Sequence, residues 1–282
     1  MTRREYVLLD VFTDRAFGGN QLAVVRDGRG IADAEMRAIA RELQLAETTF
    51  VLPPTRPDAD HRVRIFTPEK ELPFAGHPTL GTAFVLTGGE DGTVRLEEGV
   101  GVIPVTFTRG FGRMTQVLPS FEPATIDRAA AATAISLEVA DLRDGLPLEV
   151  GSAGVRFLFV PVRDLDAVRR ARPRPGAVDD SVYVFAVGGE RPGSDVHGRM
   201  FGFGVGIAED AASGSAQGPL GAYLVPHGLV PAAPTVHLTS EQGFEMGRPS
   251  IIAIEVDTRG GAVSGVRVGG HVVAVGGGWL DA

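Results

Sequence analysis

Three residues of this chain have types and settings that suit proton chemistry. Glu47 stands between Leu45-Ala46 and Thr48-Thr49-Phe50-Val51. An acid in such an apolar segment is either exposed at a strand edge or buried for a purpose, and burial raises a carboxylate's pKa toward the range useful for proton transfer. His77 follows Gly76 and precedes Pro78. A helix start offers unpaired N–H groups and a positive dipole end, which disfavours an imidazolium. A neutral ring is expected there, able to donate and accept at once; the competing role is a hydrogen bond to a neighbouring loop carbonyl. Asp210 stands just before Ser213-Gly214-Ser215. It suits an Asx-turn or an N-cap, and neither role excludes contact with a ligand. By the same helix-start argument, Gly76-His77 and Gly214-Ser215 are candidate anion sites, and two such starts meeting across a cleft would hold a small carboxylate from both sides.

These residues need elements to position them. Tyr6 to Leu9 and Gln21 to Val25 read as strands around the turn Phe17-Gly18-Gly19-Asn20. Asp33 is expected to cap a helix over Ala34 to Leu43, with Met36, Ile39, Ala40 and Leu43 on one face. Strands follow at Thr48–Leu52 and Arg62–Phe66, and Gly76-His77-Pro78 opens a helix over Thr79 to Leu86. Further strands are expected at 93–96, 102–108 and 114–118. Pro119 to Ala130 is the best domain boundary, dividing residues 1–118 from 119–282, with the last strands free to return to the first half. Beyond it come helices over Ala129–Ile135 and Leu165–Ala171, strands at 155–162 and 181–186, and a small-residue loop from Asp210 to Gly218. A short helix over Pro219–Val225 follows, then strands from Ser250 onward. Leu80-Gly81 and Leu220-Gly221, 140 residues apart, sit in matching glycine-led segments. Glycine inside a helix costs about 1 kcal/mol and usually marks a backbone packed tightly on a neighbour. The natural reading is two half-chains, each a small-faced helix wrapped in strands.

Composition narrows the function classes. The 282 residues are 44% hydrophobic and 22% charged, an ordinary globular balance, and the net charge of −8 gives no basic face for nucleic acid. There is no cysteine, which removes disulfides, iron–sulfur clusters, thiol nucleophiles and the cysteine-pair racemases. No His-Glu-x-x-His pattern supports a zinc hydrolase, and no metal ligand set is expected. No phosphate-binding G-x-x-x-x-G-K-[ST] loop or G-x-S-x-G elbow occurs, and the glycines at 202, 204 and 206 lack the spacing of a dinucleotide fingerprint. The N-terminus has no long apolar region and no stretch spans a membrane, so a cytoplasmic protein is expected.

Several long segments carry a family resemblance. They are Asp10-Val-Phe-Thr-Asp-Arg-Ala-Phe-Gly-Gly-Asn20, Glu47-Thr-Thr-Phe-Val51, Arg64-Ile-Phe-Thr-Pro68, Pro73-Phe-Ala-Gly-His-Pro-Thr-Leu-Gly81, Glu209 to Tyr223, and Gln242-Gly-Phe-Glu-Met-Gly-Arg-Pro-Ser250. In this order they make the chain similar to the PhzF-like isomerases of phenazine biosynthesis. Gln21, Ala211 and Ser213 depart from the family's usual proline, proline and threonine. The resemblance implies an α+β, diaminopimelate epimerase-like fold: two similar domains, each a mixed β-sheet around a central helix, with the active site in the cleft between them. It implies cofactor-independent proton transfer within an unsaturated cyclic amino acid of the dihydro-hydroxyanthranilate type, no cofactor, and a homodimer. By motif position Glu47 is the proton-transferring carboxylate, with His77, Asp210 and Ser215 as its catalytic companions and Asn20, Gly76 and Gly214 as substrate-binding positions. A non-catalytic small-acid-binding homologue and an epimerase of a small amino acid are the competing readings.

Overall fold

A computed structural model describes residues 2–203 and 207–282; positions 204 and 206 of the glycine run lie outside the described residues. The chain forms two compact units, one of residues 1–115 with 268–282 and the other of residues 116–267.

The first unit opens with β1 (Arg3–Val11) antiparallel to β2 (Asn20–Val25). Helix α1 (Asp33–Leu43) then crosses to β3 (Glu47–Leu52), which lies parallel to β2, as a crossover connection allows. β4 (His61–Phe66) returns antiparallel to β3, and the two-residue β5 (Glu71–Leu72) pairs back on β4. Helix α2 (Gly76–Thr87) makes a second crossover to β6 (Gly92–Glu98), parallel to β4. β7 (Gly101–Thr108) and β8 (Phe111–Gln116) complete an antiparallel run.

The second unit repeats this wiring. β9 (Ser120–Pro123), helix α3 (Arg128–Ala134) and β10 (Glu149–Ser152) lead into β11 (Arg156–Pro161). Helix α4 (Leu165–Arg170) crosses to β12 (Ser181–Val187), parallel to β11. β13 (Val196–Gly202) returns antiparallel, and β14 (Ile207–Asp210) pairs back on it. Helix α5 (Gly214–Leu224) crosses to β15 (Thr235–Gln242), parallel to β13, and β16 (Ser250–Arg259) pairs antiparallel with β15. β17 (Ala262–Gly270) carries the chain onward, and β18 (Val272–Asp281) lies antiparallel to β1. In each unit the first crossover helix is peripheral. The second, with a brief antiparallel strand before it, is the buried one.

α2 is buried from Gly76 to Ala83 and touches β1, β2, β3, β4, β6, β7 and β18, so the sheet wraps it. α5 is buried along its whole length and touches β10, β11 and β16. Such helices need a narrow girth, and their glycines provide it. A Cβ on Gly81 would come within 2.5 Å of Leu22 Cδ2, and one on Gly221 within 2.7 Å of methyl groups on both Ile254 and Val256. The fold is the α+β, diaminopimelate epimerase-like arrangement.

Three local expectations are corrected. Asp33 is the first residue of α1 rather than its cap; Ala32 precedes the helix, and the Asp33 carboxylate accepts from Arg64 Nη1 instead. α2 begins at Gly76, three residues ahead of the expected start, with Pro78 in the first turn, where its missing N–H would be unpaired anyway. α5 begins at Gly214, inside the expected loop, and Pro219 lies in its interior rather than at its start. Gly214 and Gly218 make this a poor helix by propensity, and complete burial decides the matter.

Gly221→Ala sets helix propensity, which favours alanine by up to about 1 kcal/mol, against contact with two stiff β-branched side chains. The contact should win, with a net loss of about 1–3 kcal/mol in urea unfolding; a stabilised variant would refute the tight packing of α5.

Candidate active site

In the first unit, Asn20 opens β2, Glu47 opens β3 and His77 is the second residue of α2. Leu22 of β2 is the register partner of Glu47, which brings the starts of these parallel strands side by side. All three side chains are buried. Asn20 Nδ2 donates to His77 Nδ1 at 2.9 Å. That leaves the ring hydrogen on Nε2, which faces Glu47 Oε2 at 3.1 Å. The amide thus orients a neutral imidazole that lies beside the carboxylate, at a helix start, where a cation is disfavoured. The turn before Asn20 is fixed by Asp10, whose Oδ2 accepts from the Phe17 N–H at 2.6 Å. Gly19 is required there: its φ is +61°, and a Cβ would lie 2.3 Å from the Val11 carbonyl oxygen. Thr49 and Thr82 join β3 to α2 by a buried hydroxyl pair at 2.8 Å, which holds Glu47 and His77 to one frame.

In the second unit, Asp210 ends β14 and Gly214-Ser215 begins α5. Ser213 Oγ donates to Asp210 Oδ2 at 2.6 Å, so this hydroxyl orients the carboxylate instead of capping the helix. The departure of Ser213 from threonine keeps that hydroxyl. Gln242, which sequence reasoning quoted only within a motif, is the organiser of this loop. Its Nε2 donates to the Asp210 carbonyl at 2.7 Å and to Ser213 Oγ at 3.0 Å, and its Oε1 accepts from Ser213 N at 3.1 Å. Gln217 and Tyr183 extend the network: Gln217 Nε2 donates to the Tyr183 hydroxyl at 2.8 Å. Gln116 Nε2 donates to the Gly214 carbonyl at 2.8 Å, and Gly218 leaves room for its amide. Ser250 Oγ donates to the Ala211 carbonyl at 2.9 Å. A buried amide beside such a loop has no periodic signature, so Gln217 and Gln242 were legible only as motif members and Gln116 only as a strand position.

The turn that carries Gln242 is anchored by an ionic cluster the sequence did not reveal. His197 of β13 is fully buried, with Nδ1 at 3.0 Å from Glu241 Oε2 and Nε2 at 3.0 Å from Glu245 Oε1. A ring facing a carboxylate from each nitrogen donates from both, so it is an imidazolium. Burial alone would lower the His197 pKa, but the bonds to Glu245 and Glu241 outweigh it and raise it. Glu241 also accepts from Ser194 Oγ and from the N–H groups of Glu190 and Arg191. These donors overcome burial and hold it below the ordinary carboxylate range.

The two repeated units and the buried acid–histidine pair at a helix start define the class: an epimerase-like α+β protein equipped to move protons. A hydroxyproline epimerase from Agrobacterium vitis, 14% identical with a TM-score of 0.67 over 99% of this chain and 91% of that one, shares the fold. The chain belongs to the PhzC–PhzF family of phenazine biosynthesis-like proteins, whose model matches residues 9–278. A Pseudomonas fluorescens relative named trans-2,3-dihydro-3-hydroxyanthranilate isomerase is 37% identical over 98% of both chains. An isomerase of Mesorhizobium japonicum whose activity is uncharacterised is 38% identical over 99% of both. Among solved structures, a PhzF-family phenazine biosynthesis protein from Bacillus anthracis superposes with a TM-score of 0.91 at 27% identity, over the full length of both chains.

The His197 cluster gives a stability that depends on pH. A raised histidine contributes below its unfolded pKa of about 6.5 and loses that contribution as pH rises through its folded value. The lowered carboxylates contribute above their ordinary range and lose it as pH falls. At about pH 6, His197→Ala should cost about 3–5 kcal/mol, because it strands the buried Glu241 carboxylate and the partly buried Glu245. Urea unfolding should show the gap to wild type narrowing at alkaline pH; a constant gap would exclude a charged His197.

Proposed function

We propose that the protein is a cofactor-independent isomerase that moves a proton within an unsaturated cyclic amino acid of the dihydro-hydroxyanthranilate type. The observation that carries this reading is the Asn20–His77–Glu47 grouping, a buried carboxylate 3.1 Å from the Nε2 of a neutral imidazole that Asn20 orients. Family membership and a 37% identical relative named for such an isomerase support it. The function needs one group that takes a proton from carbon and returns it at another carbon, with no net gain or loss of atoms. Glu47 is assigned that step. His77 holds Glu47 in place and absorbs charge as it develops on the substrate. Asp210 and Ser215 hold the substrate's polar groups, and Gly76 and Gly214, at the starts of α2 and α5, let a carboxylate approach backbone N–H groups closely. Asn20 fixes the tautomer of His77.

A single carboxylate serving two carbons works on one face of the substrate, so the transfer is suprafacial with partial retention of the substrate's own hydrogen. Action on a free small molecule, as a homodimer in the cytoplasm, is part of the same proposal. Among the described residues, no helix is long and apolar enough to cross a membrane.

Incubation with trans-2,3-dihydro-3-hydroxyanthranilate in deuterated water, read by mass spectrometry, tests the reading. Wild type should isomerise it with incomplete deuterium uptake. Glu47→Gln keeps the shape and removes the base, and should lose about two to four orders of magnitude in rate while still binding ligand. Near-wild-type turnover by Glu47→Gln would move the base to Asp210 or His77, and no turnover by wild type would reject this substrate class.

A further inference from the structure

Glu98, the last residue of β6, is a buried acid that the proposed reaction does not use. Among the described residues its hydrogen-bond partner is the Thr79 hydroxyl, which lies 2.7 Å from Glu98 Oε1 and 2.7 Å from the Ala75 carbonyl oxygen. A hydroxyl has one hydrogen. A carbonyl oxygen brings none, so if the Thr79 hydrogen serves Ala75, the hydrogen between Thr79 and Glu98 has to come from the acid. Ala75 is the residue before α2, and His77 lies between Ala75 and Thr79 in the helix's first turn. We propose that Glu98 is a neutral carboxylic acid whose hydrogen locks the first turn of α2, which makes it a positioning residue for His77.

The surroundings agree with a neutral acid. Arg62 and Arg64 on β4, Glu71 on β5 and Glu97 on β6 are the charged groups that share a surface cleft with Glu98. Arg64 is engaged by Glu71 and Asp33, and the field of Arg62 falls on Glu97. Among the described residues no charged group offsets the burial of Glu98, which pushes its pKa up to about 8 against the smaller pull of Thr79. Once ionised, the carboxylate can only accept. The Thr79 hydrogen then turns to Glu98, and the Ala75 carbonyl keeps only the Thr79 N–H, at 3.1 Å. The turn that presents His77 thus has two hydrogen-bonding states, set by one proton on Glu98.

The positioning role rests on His77 acting in the proposed reaction, but its test needs no substrate. Infrared spectra of the intact protein should show the carbonyl stretch of a protonated carboxyl at neutral pH. The band should bleach as pH rises through about 8 and be missing from Glu98→Gln. In histidine-labelled protein the His77 ring resonance, assigned by its loss in His77→Asn, should shift with that same midpoint. Glu98→Gln keeps an N–H donor for Thr79 and loses the titration, so its His77 resonance should hold the neutral-pH position throughout. No protonated-carboxyl band at neutral pH overturns the neutral acid. A band that bleaches while the His77 resonance stays still overturns the positioning role. If Glu98→Gln fails to fold, the coincidence or separation of the two wild-type midpoints decides. An inactive wild type would reject the isomerase reading and leave these spectra standing.

Discussion

A helix buried on every side has no face to turn toward water, and the architecture of this chain follows from that constraint. α2 and α5 are buried around their circumference at the turns where the sheets enclose them. The enclosing strands must come close, so the helices are built from glycine, alanine, serine and threonine where contact is tightest. Their first turns carry N–H groups that intrahelical bonding leaves unpaired, now held in protein rather than in bulk water. That is a poor place for a cation and a good place for a neutral imidazole or an anionic ligand. The same packing that stabilises each unit therefore creates the electrostatic setting in which His77 and Ser215 stand.

Acids close to these helices have their charge set by how many donors they meet. Glu97 and Glu98 are neighbours at the end of β6. Glu97 accepts from Thr55 Oγ1, Thr55 N and Arg56 N, and these bonds overcome burial and hold it ionised. Glu98 meets one hydroxyl, and burial prevails. Glu241, with no exposed surface, stays ionised because three donors and an imidazolium surround it. All three have little accessible surface, and the depth of the surroundings and the donor count together separate them.

Much of this was legible because the candidate site residues break local pattern. Glu47 is an acid in an apolar strand, His77 a histidine at a glycine-led helix start, and the matched Leu-Gly pairs exposed the repeat of two helices. The rest was hidden where tertiary contacts override local preference. The start of α5 reads as loop because Gly214 and Gly218 oppose helix, and only burial reverses that. β13 and β15 carry His197, Arg199, Ser240, Glu241 and Gln242 as buried residues, so neither strand shows a clean alternation of apolar and polar positions. Their polar side chains are satisfied by partners distant in sequence, such as Glu241 with the Glu190 and Arg191 backbone, and no window of sequence displays such a pairing.

The departures from the family's pattern fall where the fold supplies rigidity by other means. Proline at 211 would fix one backbone angle in the loop after Asp210. Here Ala211 stands instead, and the loop is held from beneath: Ser250 donates to the Ala211 carbonyl, Gln242 binds both Asp210 and Ser213, and Gly243 passes so close to Ala211 that a Cβ would sit 2.5 Å from its oxygen. Gln21 is the exposed register partner of Asp10 on β2, and the neighbouring turn is fixed by the Asp10–Phe17 bond and by Gly19. Losing the prolines removes a restraint on the unfolded chain more than on the folded loop. The placement of Asp210 thus depends on the buried amides and hydroxyls around it, and that of Asn20 on Asp10 and Gly19, rather than on residues 211 and 21.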